Sequence, residues 1–403
     1  MSILVLNAGS SSLKLGLYDD AANELASGSV DWGTDSDQAE VRLRWEAGGE
    51  AKSSRRRVAD VTAAVPIALE ELRAADVELD PGGAARAIRA VGQRVVQGGE
   101  TLLQSVRIDP PVKAELRRLC DLAPLHNPPA LEAIAAIEVA LPGVPQIAVF
   151  DTAFYATLDA THHVYPVPYE WYSNWGVRRF GFHGISHSYC AGRAAELLVG
   201  RRELRVVTCH LGNGCSATAS RGGVAVATTM GFTPLDGLMM GTRPGAIDPG
   251  VLIYVQKQHG LTVDALDVVL NHGAGLAGVS GVSRDYRAVE AAAALGHTRA
   301  RLALDIFALR VREAIGALAT SLGGLDALVF TAGVGENGAA LRAAVCEPLA
   351  FLGVELDSKR NTNGARNHDI AAPGARVRVL VLHTEEELMI AREVQRVLKA
   401  GSR

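Results

Sequence analysis

The stretch LVLNAGSSSLKLGLY, residues 4–18, crowds Asn7, Ser10, Ser11, Ser12 and Lys14 around a single glycine, Gly9. Short hydroxyl and amide side chains at a tight turn let backbone N–H groups and oxygens come close to a polyphosphate and its metal. This is no Walker loop, because Lys14 follows Gly9 by five residues and no second glycine precedes it. RAVGQRVVQGGE (89–100) sets Arg94 between a strand-like run and a Gly-Gly turn, and VFDTAFY (149–155) puts Asp151 at the C-terminal end of an apolar strand. Ligands of open α/β sheets collect at such strand ends. RRFGFHGISHSY (178–189) places Phe182 and His183 just before a helix start, and MGFTPLDGLMMGTRPGAIDPG (230–250) is a long glycine- and proline-punctuated segment holding Arg243. VLHTEEEL (381–388) ends a strand in three glutamates, suited to a hard cation. Each stretch alone has a bland reading as a plain hairpin, a surface arginine, a capping aspartate or a structural histidine. Together they are what phosphoryl transfer needs: cations around the equatorial oxygens, a bridging Mg²⁺ and an in-line nucleophile.

These residues need a scaffold of strands and helices. Leu13, Leu15 and Leu17 alternate with Lys14, Gly16 and Tyr18, which predicts a strand after the serine turn. RVVTCHLGNGCSATAS (205–220) repeats the strand–turn–strand pattern with LGNG as its turn, and DALVFTAGVGENG (326–338) ends a third strand in glycines before a helical pattern, AALRAAVCEPL. Helical stretches at 112–120, 185–200 and 296–322 alternate with the strands, which gives an α/β class. Two glycine-turn hairpins about 200 residues apart suggest a duplicated α/β domain with a cleft between the copies. The expected division is 1–150 and 151–386, with a last helix within 387–403 packing back on the first domain.

Bulk properties exclude several classes. The chain has 403 residues, a formal charge of −4 and a pI near 6.3, so no global field recruits nucleic acid or an anionic membrane. The one basic run, KSSRRR at 52–57, reads as a solvated loop. Five scattered cysteines without a CxxC pair argue for reduced thiols. The N-terminus lacks the basic n-region of a signal peptide and no apolar run reaches 18 residues, so the expectation is a soluble, cytoplasmic protein.

In their order and spacing, LNAGSSSLK, RVVQGG, LAPLHNPP, FDTAF, GFHGISH, HLGNG, GFTPLDGLMMGTR, GVSRDYR, FTAGVGEN and EELMIA closely resemble the acetate kinase family of the acetate and sugar kinase, chaperone and actin superfamily. The resemblance implies two duplicated ribonuclease-H-like (actin-like ATPase) domains with an ATP cleft between them, usually in a homodimer. It implies Mg-ATP, with Mn²⁺ as an alternative metal, phosphorylating acetate or another short-chain carboxylate to an acyl phosphate, reversibly. LNAGSSSLK and HLGNG resemble the superfamily's two phosphate hairpins.

Carried over by position, Asn7 and Glu386 are the metal residues. Lys14, Ser10, Ser12, His210, Leu211, Gly212, Asn213, Gly214, Asp285, Tyr286, Arg287, Gly333, Val334, Gly335, Glu336 and Asn337 are the nucleotide residues. Arg94 holds the carboxylate, His183 and Arg243 stabilise the transition state, and Val96, Leu125, Phe182 and Pro234 form a small apolar acyl pocket. Asp151 matches the residue the family labels proton donor or acceptor. A carboxylic acid has a pKa of ~4.3 and is already an anion at pH 7, so its attack needs no base. The expectation is therefore that Asp151 orients Arg94 and metal-bound water. Gln93 and Gln97 stand where the family has histidines, Pro244 and Ala246 where it has a serine and an acid, and Tyr155, Arg284 and Glu385 also depart from its pattern. A propionate-preferring kinase and a nucleotide-binding protein without kinase activity are the alternatives.

Overall fold

A computed structural model describes residues 2–9, 11–33, 39–45, 51–74, 87–199, 203–363 and 367–401. Ser10 of the serine turn lies outside the described residues. The chain divides into two compact units, Met1–Ala156 with Glu385–Arg403, and Thr157–Thr384.

In the first unit, β1 (Ser2–Ala8) and β2 (Ser12–Tyr18) form an antiparallel hairpin that sets Asn7 opposite Lys14. Gly9 N–H donates to the Ser12 carbonyl at 2.8 Å and closes the turn. The meander continues through β3 (Glu24–Asp31), β4 (Ala39–Trp45) and β5 (Ala51–Arg56). On the other side β6 (Ile88–Val95) runs parallel to β1, β7 is the short Val106–Arg107, and β8 (Gln146–Phe150) runs parallel to β6. The order is β5-β4-β3-β2-β1-β6-β8-β7.

Helices Val61–Ala74 and Asn127–Ala140 join Leu4, Leu6, Leu13 and Val91 in one core. The helix Glu386–Gly401 lies against β1 and β6. A Cβ on Gly92 would sit 2.6 Å from Ile390 and 2.8 Å from Val394, so the missing side chain is what admits that helix. Layers cover β1 and β6 on both sides, which explains why β1 is apolar at successive positions instead of alternating.

The second unit repeats this plan. β9 (Arg205–Leu211), β10 (Cys215–Arg221) and β11 (Val224–Thr228) form an antiparallel meander, to which β12 (Ala327–Thr331) and then β14 (Arg378–Val381) add in parallel, with the short β13 (His368–Asp369) at the edge. The run β3-β2-β1-β6-β8 and the run β11-β10-β9-β12-β14 have the same succession of senses. The fold is a duplicated α/β, actin-like ATPase architecture.

Two expectations need correcting. KSSRRR is not a loop: Lys52–Arg56 are strand β5, whose Arg56 pairs with Glu70 and Glu71 at 3.3 and 2.9 Å. Its run of polar and charged residues suits an edge strand, where charge discourages stray pairing. The division at 150/151 also shifts. Asp151–Tyr155 is a 3₁₀ turn continuing β8, with Tyr155 buried, and Glu386 opens the helix packed on β1. Asp151 and Glu386 therefore both belong to the first unit.

Candidate functional site

In the first unit the chemistry gathers at the ends of β1, β6 and β8. Arg94, near the end of β6, donates from Nε and Nη2 to the two carboxylate oxygens of Asp151 at 3.2 and 2.7 Å, and from Nη1 to Asn7 Oδ1 at 3.1 Å. Glu386 Oε2 is 3.9 Å from Nη1. The Arg94 side chain is 18 % exposed and that of Asp151 1 %. Burial alone would push the guanidinium down, but Asp151 and Glu386 outweigh it and hold Arg94 above the ordinary arginine range. Asp151 takes the Nε hydrogen and one on Nη2, and Asn7 takes one on Nη1, which leaves one hydrogen on each Nη for a carboxylate. Asn7 and Glu386 bring an amide and a carboxylate oxygen to the same arginine.

In the second unit the glycine hairpin between β9 and β10 does the equivalent work. His183 sits at φ 56°, a left-handed conformation rare for a residue with a side chain, at the entry to the helix Gly184–Leu197. Its Nδ1 contacts Ser216 Oγ at 2.8 Å, and its ring stacks on His210 with centroids 4.3 Å apart. A Cβ on Gly214 would meet Arg243 Nη2 at 2.9 Å and both Cε1 and Nε2 of His183 at 3.3 Å. A side chain there would displace the Arg243 guanidinium at the point where the two catalytic candidates converge. Arg243 Nη1 donates to the Pro234 carbonyl at 2.9 Å, and no carboxylate lies within ion-pair distance of it among the described residues. Burial pushes this guanidinium below its ordinary value.

A cavity of about 840 Å³ opens beside the hairpin tip. It is lined by eight of the expected nucleotide residues, Gly212, Asn213, Asp285, Tyr286, Arg287, Gly333, Val334 and Asn337, together with Leu276, Arg284, Glu290 and Gly338. A volume of this order suits a nucleotide-sized ligand. A Cβ on Gly333 would meet nothing within 4 Å, whereas one on Gly212 would meet Ala332 at 3.6 Å.

Several expected residues do not line the cavity. Leu211 and Gly335 are buried, His210 stacks on His183, and the Glu336 carboxylate is 2.9 Å from His383 Nδ1. Lys14 and Ser12 belong to the first unit, Lys14 exposed and Ser12 half-buried. Of the acyl-pocket residues, Val96 and Leu125 are in the first unit, and Leu125 is 44 % exposed; Phe182 and Pro234 are in the second, and Phe182 is buried.

The sequence reading missed some contributors. Arg342 is fully buried and donates to the carbonyls of Gly335 and Glu336 at 2.7 and 2.8 Å, fixing the glycine loop from beneath. His187, Thr208 and Ser216 were not singled out, although His187 follows His183 by four residues, one turn along the helix. Gln93 and Gln97 are both buried, in separate contacts: Gln93 Nε2 donates to Gln146 Oε1 at 2.8 Å, and Gln97 Oε1 accepts from Gly99 N–H at 3.0 Å.

The model of the acetokinase family matches residues 2–392. An acetate kinase of Gloeobacter violaceus is 50 % identical over 98 % of this chain and 98 % of its own. The chain belongs to the acetokinase family. It is accordingly an enzyme, a phosphotransferase with a carboxyl group as acceptor. Among solved structures, the Porphyromonas gingivalis acetate kinase superposes with a TM-score of 0.87 at 40 % identity, covering 98 % of this chain and 99 % of that one. A Francisella tularensis propionate kinase superposes with a TM-score of 0.89 at 36 % identity, covering 97 % and 98 %.

Proposed function

We propose that this chain transfers the γ-phosphoryl group of ATP to acetate, reversibly, giving acetyl phosphate and ADP. The observation that carries the reading is Arg243, a half-buried cation with no carboxylate in ion-pair range among the described residues, converging with His183 on Gly214, next to the Gly212 and Asn213 that line a nucleotide-sized cavity. Such a group is a preformed site for phosphoryl charge. A carboxylate oxygen forms the new bond to phosphorus while the bond to the β-phosphate oxygen breaks, and no proton need move.

The roles divide by unit. Arg94 gives its remaining Nη hydrogens to the acid, and Asp151 holds that guanidinium in position, so the residue the family labels as a proton carrier acts here as an orienting anion. Arg243 and His183 take the charge of the transferring group. Gly212, Asn213, Asp285–Arg287 and Gly333–Asn337 serve the nucleotide, with Lys14, Ser12 and His210–Gly214 toward its phosphates.

Asn7 and Glu386 suit Mg²⁺, or Mn²⁺. Both are hard oxygen donors, and no cluster of three or more His, Cys, Asp or Glu residues able to hold a metal exists among the described residues. One carboxylate and one amide, completed by phosphate oxygens and water, is the coordination Mg²⁺ favours. When bound, the ion neutralises β- and γ-oxygen charge.

Val96, Leu125, Phe182 and Pro234 favour a small acid, and the likeness to a propionate kinase supports propionate as a second substrate. One methylene is worth only ~1–3 kcal/mol. A homodimer is part of the same reading, supported by Tyr169, Trp175, Ile253 and Tyr254, which expose apolar surface on two helices of the second unit. So is a cytoplasmic setting, supported by five free cysteines. No helix of the described residues is long and apolar enough to cross a membrane.

The test is acyl hydroxamate formation with Mg-ATP and acetate, propionate or butyrate in parallel. Product from acetate that disappears in Arg243→Ala supports the reading. Folded protein that binds ATP and yields no product from any acid overturns it in favour of a nucleotide-binding role.

A further inference from the structure

His183 stands at the end of a chain of side chains that do not touch the cavity. Its Nδ1 meets Ser216 Oγ at 2.8 Å, and the same oxygen meets His187 Nε2 at 2.8 Å. His187 Nδ1 in turn contacts the Thr208 hydroxyl, in the shortest contact of the series. His187, Thr208 and Ser216 are all buried. The residues come from three elements, since His187 is on the helix Gly184–Leu197, Thr208 on β9 and Ser216 on β10.

Hydrogen counting leaves this chain two orders. Each hydroxyl has one hydrogen, and the buried Ser216 hydroxyl has no acceptor among the described residues besides the two imidazoles, so its hydrogen goes to one of them and, with His187 neutral, the donors run in one direction. His187 stays neutral, because burial, and then the neighbouring His210, hold it well below the usual histidine range. The Thr208 hydroxyl decides the direction. Its other acceptor, the Thr218 carbonyl, is 3.4 Å away and sits on the residue paired directly across from Thr208. That distance is too long to compete with the contact to His187. Thr208 therefore donates to His187 Nδ1, His187 Nε2–H donates to Ser216, and Ser216 donates to His183 Nδ1. The one hydrogen of neutral His183 is left on Nε2, on the ring edge that converges with Arg243 on Gly214.

The direction matters to phosphoryl transfer. A neutral ring in the opposite tautomer would present a lone pair to phosphoryl oxygens and repel them. We propose that Thr208, His187 and Ser216 are positioning residues whose donor chain holds His183 as the neutral Nε2–H tautomer, so that it donates to the transferring phosphoryl group beside Arg243. This rests on the reading that His183 and Arg243 serve that group.

The test begins with two-bond ¹H–¹⁵N spectra of the full chain labelled in histidine, with the His183 signals assigned from His183→Gln. The expected result is a protonated Nε2 and a bare, hydrogen-bonded Nδ1 at both His183 and His187; a proton on His183 Nδ1 overturns the proposal. Ser216→Ala and the near-isosteric Thr208→Val should lower kcat by about 10- to 100-fold, with KM for ATP and acetate within about two-fold, while Thr208→Ser retains activity. Full kcat in both hydroxyl-deleted variants overturns the positioning role. The spectra read the tautomer even if no acid is phosphorylated, so the two readings fail separately.

Discussion

Arg94 and Arg243 are both half-buried cations, one in each unit, and their surroundings are opposite. Arg94 is held on its side edge by both oxygens of Asp151 and on Nη1 by Asn7, with Glu386 close by. Among the described residues, Arg243 has one neutral carbonyl as hydrogen-bond partner, that of Pro234. The charge of Arg94 is more than offset by Asp151 and Glu386, so it contributes geometry: a fixed fork with one hydrogen left on each Nη for a planar anion. Arg243 keeps its charge unmatched at a desolvation cost that is relieved when phosphate arrives. The same residue type thus serves recognition in one unit and charge stabilisation in the other, and the difference lies entirely in the neighbouring carboxylate.

Removing each arginine tests this contrast most sharply. Arg94→Ala leaves Asp151 buried without its partner, so unfolding stability should fall by ~3–5 kcal/mol along with a loss of activity of ~10²-fold or more, read by denaturant titration and the hydroxamate assay. Arg243→Ala should lose on the order of 10²–10³ in kcat with no loss of stability, because a half-buried charge with no carboxylate partner among the described residues disappears. Equal destabilisation by the two substitutions would mean that Arg243 is a structural arginine and the contrast is false. Asp151→Asn comes next in size. It keeps the shape and removes the counter-charge, so we expect a loss of roughly 10- to 100-fold in kcat/KM for the acid and an altered magnesium dependence. A near-normal rate with unchanged magnesium dependence would show that Asp151 neither orients Arg94 nor affects the metal.

The duplicated scaffold was legible because its signals are local. Leu13, Leu15 and Leu17 alternate within β2, and the two glycine hairpins announce themselves as turns. The unit boundary was less legible. Asp151 and Glu386 look like the start and end of a second domain in sequence, but their membership is decided by what the 3₁₀ turn after β8 and the last helix pack against. β5 was missed because an edge strand rich in charge has no apolar alternation to detect. The arginines, His183 and Gly214 could be read from type and position, whereas their opposite electrostatics could not, since Arg94 and Asp151 are 57 residues apart. Ser216 and Thr208 are unremarkable strand residues until folding brings them 29 and 21 positions from His187 into one hydrogen-bonded chain.

The units differ a second way, in how they respond to acid, and this gives the smallest of the expected effects. Of the 11 histidines only His126 lies in the first unit, and the buried, neutral His187 lies in the second. Folding depresses the pKa of His187, so the unfolded chain takes up a proton near pH 6.5 that the folded chain refuses. Above that pH both states are neutral and the group contributes no slope. As pH falls below it, the unfolded state gains the proton alone and stability declines by up to about 1.4 kcal/mol per pH unit for this one group. Amide exchange at pH 7.5 and 5.5 should then show β9, β10 and β12 losing protection while β1, β6 and β8 hold theirs. His187→Gln should flatten the slope, because an amide cannot be charged. Equal loss in both units, or a slope that survives the substitution, would place the acid sensitivity elsewhere and remove histidine burial as a distinction between the two halves.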